Sequence, residues 1–260
     1  MNNPQPITLN GQPIAGDKSP LICTPLVGRT REDILAELTV VIPKRPDVLE
    51  WRVDFFKQIG DTAAVIAAAS AIKKEANGVP LLFTRRSIIE GGEVITLTEA
   101  QVIALYQAVC ASGCVDLIDY EMANDMAHIG QIRDAAKTNG VQLVLSFHNF
   151  SCTPEPGAIA AKFLQAEQLG ADVAKVAVMP KDLDDVLTLL AATRSASKTL
   201  RIPLISMAMG PLGAVTRLVG GVFGSSLTFA VGASSSAPGQ IPIEDIRLVL
   251  TVLQQSMQGR

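Results

Sequence analysis

The sequence predicts an α/β protein folded as one (β/α)8 barrel over residues 1–260, with an amino-terminal β-hairpin closing the bottom of the barrel. Three observations predict it. Eight short runs rich in aliphatic and β-branched residues alternate with segments of helical period. Successive runs lie roughly thirty residues apart, a spacing that requires parallel crossovers. The 260 residues hold eight such units and no linker that would divide them. A doubly wound open sheet is the rival arrangement.

In chain order, ITLNGQPI (7–14) reads as a hairpin because Asn10-Gly11 suits a tight turn, and its place before the first barrel strand makes it a plug. LICTPLV (21–27) is the first barrel strand, followed by the helical REDILAEL. DVLEWRVDF (47–55) precedes DTAAVIAAASAIKKEA, and VPLLFTR (79–85) precedes LTEAQVIALYQAVCASG. VDLIDYE (115–121) leads to ANDMAHIGQIRDAAK, and VQLVLSF (141–147) to AIAAKFLQAEQLG. DVAKVAV (172–178) is paired with KDLDDVLTLLAATRSASK. After IPLISMAM (202–209) comes GPLGAVTRLVGGVFGSS, read as tight βα turns, since no Gly-Lys-Ser/Thr follows to make a phosphate loop. SLTFAV (226–231) is the eighth strand, and IPIEDIRLVLTVLQQSM closes the chain.

Composition excludes several classes. A net charge of -3, with basic residues scattered and only two Tyr and one Trp, gives neither a basic stripe nor a stacking platform, so nucleic acid is not an expected partner. The start MNNPQPITLNGQPI lacks the basic and apolar regions of a signal peptide, which points to a cytoplasmic protein. The four cysteines form no CxxC pair and read as reduced thiols, with no metal site. Residues 218–243 carry no charge and are long enough to span a bilayer, but their Gly, Ser and Pro content breaks any helix, so no membrane span is expected.

Alternate strand residues point into a barrel, and functional groups gather at the carboxyl ends of the strands. That rule puts Glu50, Arg52 and Asp54 on one face of the second strand, Asp119 and Glu121 on one face of the fourth, and Ser146 with His148 on one face of the fifth. Lys175 faces inward from a run otherwise made of Ala, Val and Met. An unpaired ammonium in such a layer relieves its cost by losing its proton, which leaves a nucleophilic amine. A structural ion pair with Asp119, Glu121 or Asp172 is the plainer alternative. Arg217 is the single charge between Ile202 and Ile243; it could bind an anion or merely cap carbonyl groups.

Taken together, EWRVDFF (with Glu50 and Arg52), FTRRSIIEGGE, SFHNF, VAKVAVMP, ISMAMGPLGAVTR, VFGSSLTFA and SAPGQI resemble, in order and over nearly the whole chain, the type I 3-dehydroquinate dehydratase family. The resemblance implies a homodimeric (β/α)8 barrel that dehydrates the small molecule 3-dehydroquinate to 3-dehydroshikimate in the shikimate pathway, without metal or organic cofactor. It implies Lys175 as the Schiff-base nucleophile, His148 as general base and acid, and Glu90 as the carboxylate that orients His148. It further implies Arg217 as the substrate-carboxylate ligand, and Glu50, Arg52, Arg86, Ser236 and Gln240 as groups that hold the ring hydroxyls or close over the site. Asn149 stands where the family often has Asp, and Pro25 where some members have Ser. Another Schiff-base barrel, such as a class I aldolase, would leave the EGGE and SAPGQI runs unexplained. A silent quinate-sensing barrel would be expected to lack Lys175 or His148.

Overall fold

A computed structural model describes residues 4–14 and 19–257. The hairpin is β1 (Ile7–Leu9) and β2 (Gln12–Ile14), paired antiparallel across Asn10-Gly11, both of which have positive φ as the turn demands. Eight parallel strands follow: β3 (Leu21–Leu26), β4 (Val48–Arg52), β5 (Leu81–Thr84), β6 (Leu117–Glu121), β7 (Gln142–Asn149), β8 (Val173–Val178), β9 (Leu204–Ala208) and β10 (Leu227–Val231). They pair in the order β10-β3-β4-β5-β6-β7-β8-β9. The ring closes between β9 and β10 through the Leu204–Ser225 bridge and a 2.7 Å bond from the Ser226 N–H to the Leu204 carbonyl. The eight runs expected from sequence are the eight barrel strands.

Helices α1 (Arg31–Val41), α2 (Thr62–Glu75), α3 (Glu99–Ala111), α4 (Met126–Thr138), α5 (Pro156–Gln168), α6 (Leu183–Ala196), α7 (Gly210–Val219) and α8 (Ile243–Met257) form the outer layer. Side-chain caps fix where most of them start: Thr30 and Thr98 close capping boxes, and Asp61, Asp125 and Asp182 accept first-turn N–H groups. Between strands and helices lies the larger core, where Trp51, Phe56, Phe83, Tyr106 and Tyr120 meet edge to face. The Tyr106 hydroxyl accepts the Arg85 N–H at 2.9 Å and donates to the Asp119 carbonyl at 2.7 Å, which locks β5 to β6 just below the rim.

Inside the barrel, alternation sorts the strands into layers. Leu21, Val48, Leu82, Leu117, Val144 and Val173 fill the lower end, and Ile7 of the hairpin is buried among them with Leu9 and Ile14 packed alongside. Above them the inward positions of β4 to β7, with Lys175 of β8, turn polar, while Cys23, Ala177, Met207, Met209 and Phe229 keep the opposite side apolar. Two local readings are corrected. The glycine-rich run after β9 is not a set of turns in its first half: residues 210–219 form α7, with Pro at its start and Gly213 lying so close to the Ala208 backbone that a Cβ has no room. Strand β4 stops at Arg52, and a 3-10 turn, Val53–Phe55, carries Asp54 off the strand. A short β11 (Ile241–Pro242) pairs with β10, so residues 232–240 form a strap between the two.

Candidate active site

The nine side chains singled out in the sequence line one cleft at the carboxyl ends of the strands: Glu50, Arg52, Arg86, Glu90, His148, Lys175, Arg217, Ser236 and Gln240. The cleft is half open to solvent at the mouth of the barrel, and these side chains leave only a narrow space, about 40 Å³, between them. Met207, Met209 and Phe229 supply an apolar wall that the polar motifs did not point to.

Lys175 is 3% exposed and central. Its setting departs from the apolar layer that its strand suggests. Nζ donates to Asp119 Oδ2 at 2.9 Å, lies 3.7 Å from Glu50 Oε1, and sits 4.6 Å from the centroid of the Phe229 ring. The reason is register: the neighbours of Lys175 across the barrel are inward residues of other strands, which the sequence of β8 does not display. Of the three carboxylates proposed as its partner, Asp119 takes the role. Glu121 turns to Arg86, and Asp172 faces out to accept the Leu143 N–H at 2.8 Å.

Asp119 and Arg86 anchor the floor. Burial pushes the Asp119 carboxyl up, but Arg86 and Lys175 outweigh it and hold the group well below the usual carboxylate range. Asp119 Oδ1 accepts from Ser146 Oγ at 2.6 Å and lies 2.8 Å from Arg86 Nη2. Arg86 Nη1 donates to Ser146 Oγ at 2.8 Å and to Glu121 Oε1 at 3.1 Å. Burial alone would lower the Arg86 pKa, yet Asp119, Glu121, Glu90 and Glu50 drive it above its ordinary value, so it is a fixed cation. Glu50 Oε1 accepts from Thr84 Oγ1 at 3.0 Å. These carboxylates already have cationic or hydroxyl partners, and among the described residues none is grouped to hold a metal ion.

His148, at the end of β7, meets Glu90 in the short 3-10 turn Ile88–Glu90. Glu90 Oε2 accepts the His148 backbone N–H at 3.1 Å and lies 2.8 Å from Nδ1. Oε2 accepts the backbone N–H, and with a hydrogen on Nδ1 it accepts that N–H as well, the tautomer that leaves Nε2 with its lone pair. Burial, then Arg86 and Lys175, lower the imidazole pKa well below its ordinary value, which keeps His148 neutral. Burial and Glu121 push the Glu90 carboxyl up to about 8. Asn149 turns away and accepts the N–H groups of Ser151 and Cys152 at 2.9 and 3.0 Å, so it folds the following loop.

Arg217 lies in the last turn of α7, 1% exposed, and makes no ion pair among the described residues. Its Nε and Nη2 donate to the carbonyl groups of Gly239 and Pro238 at 3.0 and 3.2 Å, and Nη1 lies 3.5 Å from Met207 Sδ. Burial lowers its pKa to about 10. On the strap, Gln240 Oε1 accepts the Ser236 N–H at 3.0 Å and Nε2 donates to Ser236 Oγ at 3.2 Å. Arg52 Nη1 donates to the Ser236 carbonyl at 3.3 Å, and Lys44 Nζ to that of Gly232 at 2.7 Å. The strap is therefore tied by cations rather than by apolar packing. Asp119, Glu121, Ser146 and Asp54 are polar groups that the motif reading left out of the site; their period-two placement on inward faces, Ser146 beside His148 and Asp54 beside Arg52, was the available signal.

The arrangement offers a buried amine, a neutral imidazole with a free nitrogen and a buried cation able to take a carboxylate. The chain matches the family model described as type I 3-dehydroquinase over residues 22–257. It is 67% identical over 257 residues, 99% of its length and 97% of the relative's, to a 3-dehydroquinate dehydratase of Albidiferax ferrireducens, and 52% identical, covering 97% of each chain, to one of Aromatoleum aromaticum. The crystal structure of 3-dehydroquinate dehydratase from Geobacillus kaustophilus is similar with a TM-score of 0.94 at 50% identity, covering 98% of each chain. That of a type I 3-dehydroquinate dehydratase from Clostridium difficile with covalently modified comenic acid is similar with a TM-score of 0.92 at 35% identity, covering 97% of this chain and 99% of the other.

Proposed function

The chain belongs to the type I 3-dehydroquinase family, and we propose that it carries out the family's reaction through a covalent imine on Lys175, with His148 moving the protons. It is a 3-dehydroquinate dehydratase of the shikimate pathway, a hydro-lyase that turns 3-dehydroquinate into 3-dehydroshikimate and water. The observation that carries the mechanism is the position of Lys175 Nζ at the centre of the cleft, 2.9 Å from Asp119.

The reaction removes a hydrogen from the carbon beside a ketone and a hydroxyl from the next carbon, and the electron pair left behind needs a sink. An iminium is a better sink than the ketone. Before attack, Lys175 must present a free amine; Asp119, held well below the usual carboxylate range, stays an anion beside Nζ and does not take the proton, and Glu50 Oε1 lies 3.7 Å from Nζ. The freed amine adds to the ketone carbon, and the carbinolamine loses water to give the iminium. His148 Nε2 takes the α hydrogen as an enamine forms, and the imidazolium returns that proton to the departing hydroxyl. Water then hydrolyses the product imine and frees Lys175. Glu90 holds Nδ1–H throughout, so the imidazole keeps one tautomer and one direction.

Arg217 takes the substrate carboxylate, and Glu50, Arg52, Arg86, Ser236 and Gln240 bind the ring hydroxyls or close over them. The Pro238 and Gly239 carbonyl groups already use two of the guanidinium's nitrogens, so the substrate carboxylate shares Arg217 with the strap. The same reading has the enzyme work as a homodimer in the cytoplasm, without nucleic acid, and light scattering of the purified chain checks the dimer. Following the ultraviolet absorbance of the conjugated enone after adding 3-dehydroquinate tests the roles. The wild type should produce it, and Lys175→Ala should not; turnover by Lys175→Ala near the wild-type rate would end the imine mechanism.

A further inference from the structure

Asp54 does not line the cleft, yet its carboxylate is fully buried and meets four donors. Oδ1 accepts from Arg52 Nε at 2.8 Å and from the Arg86 backbone N–H at 3.3 Å. Oδ2 accepts from Arg52 Nη2 at 2.7 Å and from the Glu93 backbone N–H at 3.1 Å. Four donors fill the acceptor sites of one carboxylate. The pair from Arg52 is a fork contact on the Nε edge, which leaves Nη1 directed at the Ser236 carbonyl of the strap. The other two donors bracket the turn that carries Glu90.

That turn has little apolar anchorage of its own. Ile88 and Ile89 are 63% and 84% exposed. Its position depends on polar ties: Asp54 at both ends, and Glu121 Oε1, which accepts the Ser87 N–H at 2.7 Å. From this turn Glu90 reaches His148. We propose that Asp54 is a positioning residue that couples the two halves of the site, aiming Arg52 at substrate and strap while it sets the span of the Arg86–Glu93 turn and so the Glu90–His148 contact. This inference rests on the roles given above to Arg52, Glu90 and His148. A carboxylate is required because an asparagine would turn an NH2 toward two donors and leave them unpaired.

Double-mutant cycles on the full-length enzyme, with kcat and KM measured for 3-dehydroquinate, test the coupling. Asp54→Asn should lower kcat about tenfold or more and raise KM by a similar factor. In a Glu90→Gln background its further effect on kcat should shrink to under about threefold, and in an Arg52→Ala background its effect on KM should shrink likewise. Borohydride trapping at Lys175 should persist in Asp54→Asn, since Asp119 and Lys175 do not touch Asp54. Full additivity in both cycles would overturn the proposal and make Asp54 a structural counter-ion. Should Asp54→Asn not fold, Asp54→Glu, which keeps the charge and displaces the oxygens, goes through the same cycles with the same expected coupling. If neither folds, Asp54 serves the fold and the proposal falls. Single variants Glu90→Gln and Arg52→Ala with wild-type kinetics would refute the roles of those residues first, and the link would fall with them.

Discussion

Replacing Arg217 with alanine separates binding from chemistry. The guanidinium is 1% exposed, and its acceptors are two carbonyl oxygens at 3.0 and 3.2 Å. Carbonyl groups satisfy its N–H bonds without neutralising its charge, so a carboxylate that enters the cleft meets an under-compensated cation in a dry site. Two of its nitrogens already serve the strap, which leaves room for one or two charge-assisted bonds to substrate, each worth roughly 1.5–3 kcal/mol. Truncation that leaves the carboxylate buried and unpaired lies in the range of about 2–5 kcal/mol. A value near 3 kcal/mol is therefore expected, on the order of 100-fold in affinity for substrate or product. KM and inhibition by 3-dehydroshikimate measure it. Hydrogen exchange across residues 232–240 should also quicken in Arg217→Ala, because the Pro238 and Gly239 carbonyl groups lose their donors. Faster exchange with unchanged KM and unchanged product inhibition would show that Arg217 only caps the strap, and would refute the binding role.

Three further outcomes are expected. His148→Ala should lose about 100-fold or more in turnover and still form an adduct at Lys175, visible by mass spectrometry; turnover near wild type would require another base. The Glu90 carboxyl is raised from 4.5 to about 8 by burial and Glu121, so the stability it contributes is full at low pH and is lost as pH rises through about 8. His148, lowered by burial, acts in the opposite sense only below its ordinary value of 6.5. Between pH 6.5 and about 8 the wild type should therefore lose thermal stability, and Glu90→Gln should lose less; equal slopes in calorimetry would contradict the raised carboxyl. In Gly92→Ala the new Cβ meets the Arg86 carbonyl, so the turn must open. A loss of roughly 1–3 kcal/mol in stability together with lower kcat is expected, and full activity at the wild-type Tm would show that the turn tolerates the change.

The barrel was legible because strand alternation and helix length are local properties, and eight repeats of them leave few topologies. The inward direction of Lys175 followed from the same alternation. Its partner did not: Glu121, Ser146 and Lys175 fall in one register row, yet Nζ meets Asp119, one inward position earlier on β6, while Glu121 is held by Arg86, and a contact across strands that are not neighbours leaves no mark in any one strand's sequence. Asp54 escaped notice as a clamp because a hydrophobic alternating run gives no sign that β4 ends two residues earlier, at Arg52. Helix α7 was hidden by glycine, whose low helical propensity is outweighed at Gly213 by the close approach to the Ala208 backbone. The members of the cleft were legible through motif resemblance, whereas the ties of Arg217 to the strap depend on a loop that carries no periodic signal.

The covalent role of Lys175 is the centre of the account, and borohydride reduction during turnover tests it most directly. Peptide mapping by mass spectrometry should find one reduced substrate adduct per chain, on Lys175, with activity lost in proportion to its formation. An adduct on a different lysine, or full inactivation with none, would contradict it.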